Sequence, residues 1–151
     1  MAQSVTAVWA NLYAVCQSLY PPPVLVSFGD PGTYQPDVIV AVMGGAATVG
    51  QPVMTPTRPQ EFVVTTEIIF SVFAPGGDPT QQASSTAAWV MHDQLVAWLR
   101  TSPNETLSGA CRSAFVTAET VVFSNAFDPV SNNQTGCVTE LTATVTAHVR
   151  I

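Results

Sequence analysis

The C-terminal run 137–151 constrains this chain more than any other stretch. Cys137, Leu141, Ala143, Val145, Ala147, Val149 and Ile151 share one parity, and Glu140, Thr142, Thr144, Thr146, His148 and Arg150 share the other. Successive side chains of a strand point to opposite faces, so this period of two predicts one long strand. Its apolar face belongs on a core and its polar face on water or a partner. A strand of this length is not stable alone and requires paired neighbours and a covering layer.

The rest of the sequence supplies both. Phe62, Val64, Thr66, Ile68, Phe70 and Val72 alternate through 62–73, which predicts a second long strand. Residues 24–28 and 37–43 read as strands, the latter apolar throughout and therefore buried on both faces, and 111–125 reads as a further one. Val5, Val8, Trp9, Leu12, Cys16 and Leu19 fall on one helical face over 4–19, and Pro21-Pro22-Pro23 ends that helix. Asp78-Pro79-Thr80-Gln81 is a helix start, with Asp78 as cap, Pro79 at the first helical position and Gln81 placed for a capping box. The helix is expected to run to Arg100, to bury Ala87, Ala88, Met91, Leu95, Trp98 and Leu99, and to stop at Ser102-Pro103-Asn104. Residues 44–60 carry glycines at 44, 45 and 50 and prolines at 52, 56 and 59, and read as one long loop. The stretch from Asp128-Pro129 to Gly136 has hairpin chemistry. The expected fold is α+β: a mixed, largely antiparallel sheet of about five strands with two helices packed on it, in a single domain over 1–151.

Composition narrows the function. Charged residues are 9% of the 151, against about 25% in an average soluble domain, and lysine is absent. Four arginines (Arg58, Arg100, Arg112, Arg150) face ten carboxylates, for a net charge of −6. Gripping nucleic acid or an anionic membrane requires clustered cations, so neither is expected. With 47% apolar residues the chain is not a disordered one, and so uncharged a surface is expected to lie largely against other subunits. Cys16, Cys111 and Cys137 have no metal-ligand spacing and read as thiols. The first 29 residues lack a basic segment and interleave polar residues, which argues against a signal peptide, and the uncharged stretch 38–57 is too broken by glycine and proline to span a membrane.

No catalytic constellation emerges, and the chain is not expected to be an enzyme or to hold a cofactor or metal. His92 is followed by Asp93, but helical neighbours diverge by about 100°, so no dyad is expected. His92 and His148 both read as surface or rim histidines. Nucleophile-elbow and phosphate-loop motifs are absent. Glu67, Glu119 and Glu140 lie mid-strand with no cation or histidine expected beside them. What stands out is one face of the second helix, where Trp89, Asp93, Val96 and Arg100 recur opposite the core stripe. A tryptophan and a valine on a nominally wet face predict a subunit interface, or else cover by the 44–60 loop.

The layout as a whole resembles a known family. A helix precedes Val24-Leu25-Val26-Ser27-Phe28-Gly29-Asp30-Pro31 and Pro36-Asp37-Val38-Ile39-Val40. After a loop come the strand from Arg58 to Phe73, an Ala/Trp/Leu helix, and a last strand ending Thr146-Ala147-His148-Val149-Arg150-Ile151. This is similar to the tail-terminator proteins of long-tailed phages (siphoviruses), the lambda-like tail-terminator family, over essentially the whole chain. The resemblance implies a homohexameric ring in the virion neck, at the head–tail joint, assembled in the host cytoplasm. Such a ring caps the tail tube, stops its polymerisation and joins tail to head. The implied partners are further copies of the chain, the tail tube protein and a head-closure or connector protein, with no membrane and with DNA passing through without specific binding. No active-site residues come with the family. A head-closure (stopper) or other connector protein is the nearest alternative, and a secreted immunoglobulin-like binding module is the alternative of another class. In a ring threaded by DNA, Glu67, Glu119 and Glu140 are the expected channel-lining acids, unless they pair with Arg112 and Arg150. The bore is expected to be neutral to negative, with arginines such as Arg58 and Arg112 at subunit contacts.

Overall fold

The computed structural model describes residues 3–32, 36–49, 61–76, 79–127, 130, 131 and 134–150. Two helices, α1 (Val5–Leu19) and α2 (Pro79–Arg100), pack on one face of a five-stranded sheet. The strands are β1 (Leu25–Phe28), β2 (Val38–Val49), β3 (Glu61–Pro75), β4 (Ser113–Phe127) and β5 (Gln134–Arg150), in the spatial order β1-β2-β3-β5-β4. β1 is parallel to β2, and every other pair is antiparallel. The α+β fold with a mixed, largely antiparallel sheet and two helices is the one expected from the sequence.

The central pair is β3 with β5, in register from Glu61↔Arg150 to Pro75↔Gly136. This register sets Val64, Thr66, Ile68, Phe70 and Val72 beside Ala147, Val145, Ala143, Leu141 and Thr139, all of them buried beneath the helices. α1 begins where Ser4 Oγ accepts the Ala7 amide at 3.1 Å, and ends at Tyr20, before the three prolines. It buries Val8, Leu12 and Cys16, with Val5, Trp9 and Leu19 half-buried beside them. Tyr20 donates its hydroxyl to the Met91 carbonyl and packs edge-on against Phe70, tying the end of α1 to α2 and the sheet. Each large apolar side chain fully buried here contributes about 1.5–3 kcal/mol.

Two expectations need correction. Residues 44–49 are not loop: β2 runs through them, paired with β3 from Gly44↔Glu67 to Val49↔Phe62. The glycines serve a bulge instead of a turn. The register shifts between Val42 and Gly44, Gly44 has φ +79°, and a Cβ on Gly45 would lie 1.9 Å from the Thr65 carbonyl oxygen. The remainder of the expected loop, with Arg58, lies outside the described residues, as do Asp78 with its proposed cap, Asp128-Pro129 of the expected hairpin and Ile151. The buried stripe of α2 is also rotated from the expected one. Ser84, Ala88, His92, Leu95 and Leu99 are buried, Met91 and Trp98 are half-buried, and Ala87 is exposed. Polar residues can occupy that stripe because they have partners in the sheet. Ser84 Oγ lies 2.7 Å from Thr139 Oγ1, to which Gln81 Nε2 donates at 2.8 Å.

The three cysteines are buried thiols. Burial pushes the Cys16 thiol up to about 12 and, with the nearby Glu105 carboxylate, the Cys111 thiol up to about 11. Thiols held protonated in the folded state and free to ionise in the unfolded chain stabilise fully below about pH 8.5, and that contribution is lost as pH rises. Chemical denaturation should therefore show stability falling from about pH 9 upward, with a shallower slope in Cys16→Ala on its own lower baseline. A second expectation concerns Thr66, whose Oγ1 is buried without a hydrogen-bond partner. Thr66→Val should leave the unfolding free energy unchanged or raise it by about 1–3 kcal/mol, whereas Ile68→Ala on the same face should cost about 2–5 kcal/mol. Equal losses for the two would contradict the placement of Thr66.

Candidate assembly surface

α2 lies across β3 and β5 and overhangs the outermost strand, β4. Its flank and β4 enclose a groove lined by His92, Asp93, Val96, Leu99, Arg100, Phe115, Val116 and Glu119. The periodicity of α2 puts Asp93, Val96 and Arg100 on that flank at helical spacing. Asp93 and Arg100 are exposed, Val96 is half-buried, and Trp89, one turn earlier, is 36% exposed. The residues expected to form an interface therefore share one surface, at the junction of helix and edge strand.

His92 anchors this junction. Its ring is 5% exposed and has Trp89 packed edge-on at 4.9 Å and Phe70 at 6.5 Å. Nε2 lies 3.1 Å from Glu119 Oε1 on β4, and Nδ1 lies 3.1 Å from Asp93 Oδ1. Three expectations fall here: His92 is neither a surface nor a rim residue, it does engage Asp93, and Glu119 does have histidine company. Neighbouring side chains diverge at the helix, but the carboxylate of Asp93 folds back to the near side of the ring. The far nitrogen reaches down to the sheet. A neutral imidazole has one N–H to donate, so both carboxylates are served at once only by the doubly protonated ring. The stripe Ala88, His92, Leu95 and Leu99 was the available sequence signal for burial; nothing local in the sequence pointed to Glu119.

The acids expected to line one channel do not share a surface. Glu67 pairs in register with Gly44 and Thr144, and Glu140 with Ser71 and Val122, so both belong to the sheet face turned away from the helices. Glu119 is paired with Ala143 and projects from the opposite, helix-bearing face toward His92. Nor do the three pair with Arg112, whose Nη1 lies 3.1 Å from Glu61 Oε1. The backbone amide of Arg150 donates to Gln3 Oε1 at 2.7 Å.

The open face is a sheet surface of mixed character. Thr142, Thr144 and Thr146 run along β5, with Thr117 Oγ1 2.9 Å from Thr146 Oγ1. His148 stacks on Phe115, with ring centroids 6.1 Å apart. Toward β1, Ile39, Ala41, Met43 and Ile69 border a shallow hollow with Asp30, Pro31, Ser71 and Glu140. Among the described residues no three His, Cys, Asp or Glu side chains converge as metal ligands, and no helix is long and apolar enough to cross a membrane.

No protein-family model and no curated protein matches this sequence. Among solved structures, a chain from the virion of a native gene transfer agent particle aligns with 99% of this chain and 96% of its own length, at 17% identity and a TM-score of 0.47. A second solved chain aligns over 94% of this one and 91% of itself, at 17% identity and a TM-score of 0.39.

The His92–Glu119 contact is the part of this surface that stability measurements can isolate. A double-mutant cycle of His92→Ala and Glu119→Ala should give a coupling of about 0.5–3 kcal/mol, the range for directly bonded side chains. Asp93→Ala, removing a carboxylate that is 74% exposed, should change stability by no more than about 1 kcal/mol. A cycle that closes with no coupling would show that β4 is not held to α2 through this pair.

Proposed function

We propose that this chain is a structural subunit of a phage-type virion, the ring-forming tail terminator of the neck, which caps the tail tube, stops its polymerisation and joins tail to head. The observation that carries the reading is the distribution of exposed apolar side chains. Trp89 and Val90 on α2, Phe115, Val122 and Phe123 on β4, Met43 and Val49 on β2, and Phe28 on β1 are all exposed. They fall along the two sides of the sheet and the α2 flank, and the chain has few charges to keep such surfaces apart. Exposed apolar surface of this extent fits a protein that works with its flanks covered by partners. The layout resemblance to tail terminators, spanning the chain, supplies the particular assembly.

Within that reading the subunits form a homohexamer through heterologous contacts, each joining one flank of a subunit to a different flank of the next. Trp89, Asp93, Val96 and Arg100 form part of one such flank. The tail tube protein and a head-closure or connector protein meet the two rims of the ring. Glu67 and Glu140, on the open sheet face, are the acids available to a bore through which DNA slides, and Glu119 is removed from that role by its contact with His92. A head-closure protein is the second reading, and the two-helix layer favours the terminator over it.

Cryo-EM of the neck of particles carrying this chain tests the proposal, with density for a six-fold ring between tail tube and connector as the expected result. Density in the tube wall or the capsid lattice would overturn it. Trp89→Ala removes an exposed anchor whose loss at an interface costs about 2 kcal/mol or more per contact. The variant should fold normally by thermal denaturation yet yield few joined, infectious particles. Unchanged particle yield would remove Trp89 from the interface.

A further inference from the structure

The two sides of the sheet carry features that the fold itself leaves unused. β4 is an edge strand: among the described residues it pairs with β5 alone. On the other side, β1 covers β2 only from Ile39 to Val42, so among the described residues the outer edge of β2 from Gly44 to Val49 is also open. Edge strands in soluble proteins are ordinarily protected by lysines, prolines or inward-pointing charges, because a row of unpaired N–H and C=O groups is a template for another strand. Here neither edge carries a lysine or a proline, and the inward-pointing Glu119 of β4 is the one charge on either. The segment 38–49 has no charged residue and no proline, and 113–127 has one charge, Glu119, which is engaged by His92.

The two edges also match in shape. β2 shifts register between Val42 and Gly44, and β4 between Val116 and Ala118, with a further shift at its far end between Ala126 and Phe127. The first two irregularities lie in one row across the sheet, since Gly44 pairs with Glu67, Glu67 with Thr144, and Thr144 with Ala118. A bulge bends its strand and sharpens the local twist. Both edges are therefore bent at the same level, about the same line. Their directions match as well, because β4 runs opposite to β2. Placed side by side with the same face up, β4 of one copy and β2 of the next form an antiparallel pair.

We infer that the subunits join by sheet extension, the β4 edge of one copy pairing with the Gly44–Val49 edge of β2 in the next. The occupant of each edge is a second copy of this chain. A twofold β4–β4 pair would satisfy one edge and leave the β2 edge bare; head-to-tail pairing satisfies both and is the contact a ring requires. The inference deepens the ring reading and rests on it.

Single-cysteine variants test it, using Thr48→Cys on β2 and Ser113→Cys on β4, which share one row on the open face through Val63 and His148 and so meet when the bulges of the two copies are level. The native thiols are buried and serve as an unreactive background. Within one subunit the two positions lie in one row three strand spacings apart, about 14 Å, beyond a bismaleimide that spans about 10 Å, roughly two spacings. The expected result is a crosslinked dimer when the two variants are mixed, none above background for either alone, and a ladder of oligomers for the doubly substituted chain. Unchanged thermal midpoints establish that the variants fold. Crosslinking of either variant by itself would overturn the inference in favour of twofold pairing. Rings seen by light scattering or electron microscopy without crosslinks would overturn it while leaving the ring reading intact. Failure of the mixture to crosslink at the highest soluble concentration would overturn edge pairing as well, and cryo-EM of the neck would then decide the ring reading separately.

Discussion

The ladder between β3 and β5 is the constraint from which the remaining structure follows. Because side chains alternate along a strand, the single register Glu61↔Arg150 to Pro75↔Gly136 decides at once what the helices cover. A slip of one residue on β5 would turn Glu140 and the threonines at 142, 144 and 146 beneath α1 and α2, and send Leu141, Val145 and Val149 to the open face. The polar contacts of α2 depend on the same register. Thr139 faces the helices only in this phase, and only there does it meet Ser84 and Gln81. β4 and β2 then add to the outer sides of a pair whose faces are already assigned.

This dependence explains what could be read from the sequence. The alternation in 62–73 and 137–151 is a property of single strands, so the two central strands, their inward faces and the α+β class were all legible. The helix ends were legible for the same reason, since Pro21-Pro22-Pro23 and Ser102-Pro103-Asn104 act locally. Gly44 and Gly45 misled because glycine signals a special backbone without saying which one: here it permits a bulge and a close approach to the Thr65 carbonyl, where a turn was expected. In α2, a purely apolar stripe selects Ala87 and passes over Ser84 and His92. Their burial depends on partners 55 and 27 residues away, and no local pattern encodes those distances.

The candidate surface was legible in part. The spacing of Trp89, Asp93, Val96 and Arg100 defines one side of a helix, because it is a local period. What that side looks onto is a tertiary matter, and the groove with β4 could not be read before the strand order was known. The acids show the same limit more sharply. Strand position alone gave Glu67, Glu119 and Glu140 equal standing, but the register shift in β4 intervenes between Phe115, on the open face, and Glu119, on the face that bears the helices. A single bulge thus separates one acid from the other two.

The scarcity of charge creates a problem that the bulges help to solve. A chain with two strand edges that are open among the described residues and carry one charge between them risks pairing with any extended segment it meets. Its net charge of −6 gives only general repulsion, damped beyond about 8 Å at physiological ionic strength. Selectivity must then come from shape. A straight strand laid along Gly44–Val49 runs into β1 beyond the bulge, whereas a strand that bends at the same row can turn away there. In this chain the bends at Gly44 and Ala118 stand in one row, joined through Glu67 and Thr144. The geometry that makes each edge a poor match for stray strands is the geometry that makes the two edges a match for one another.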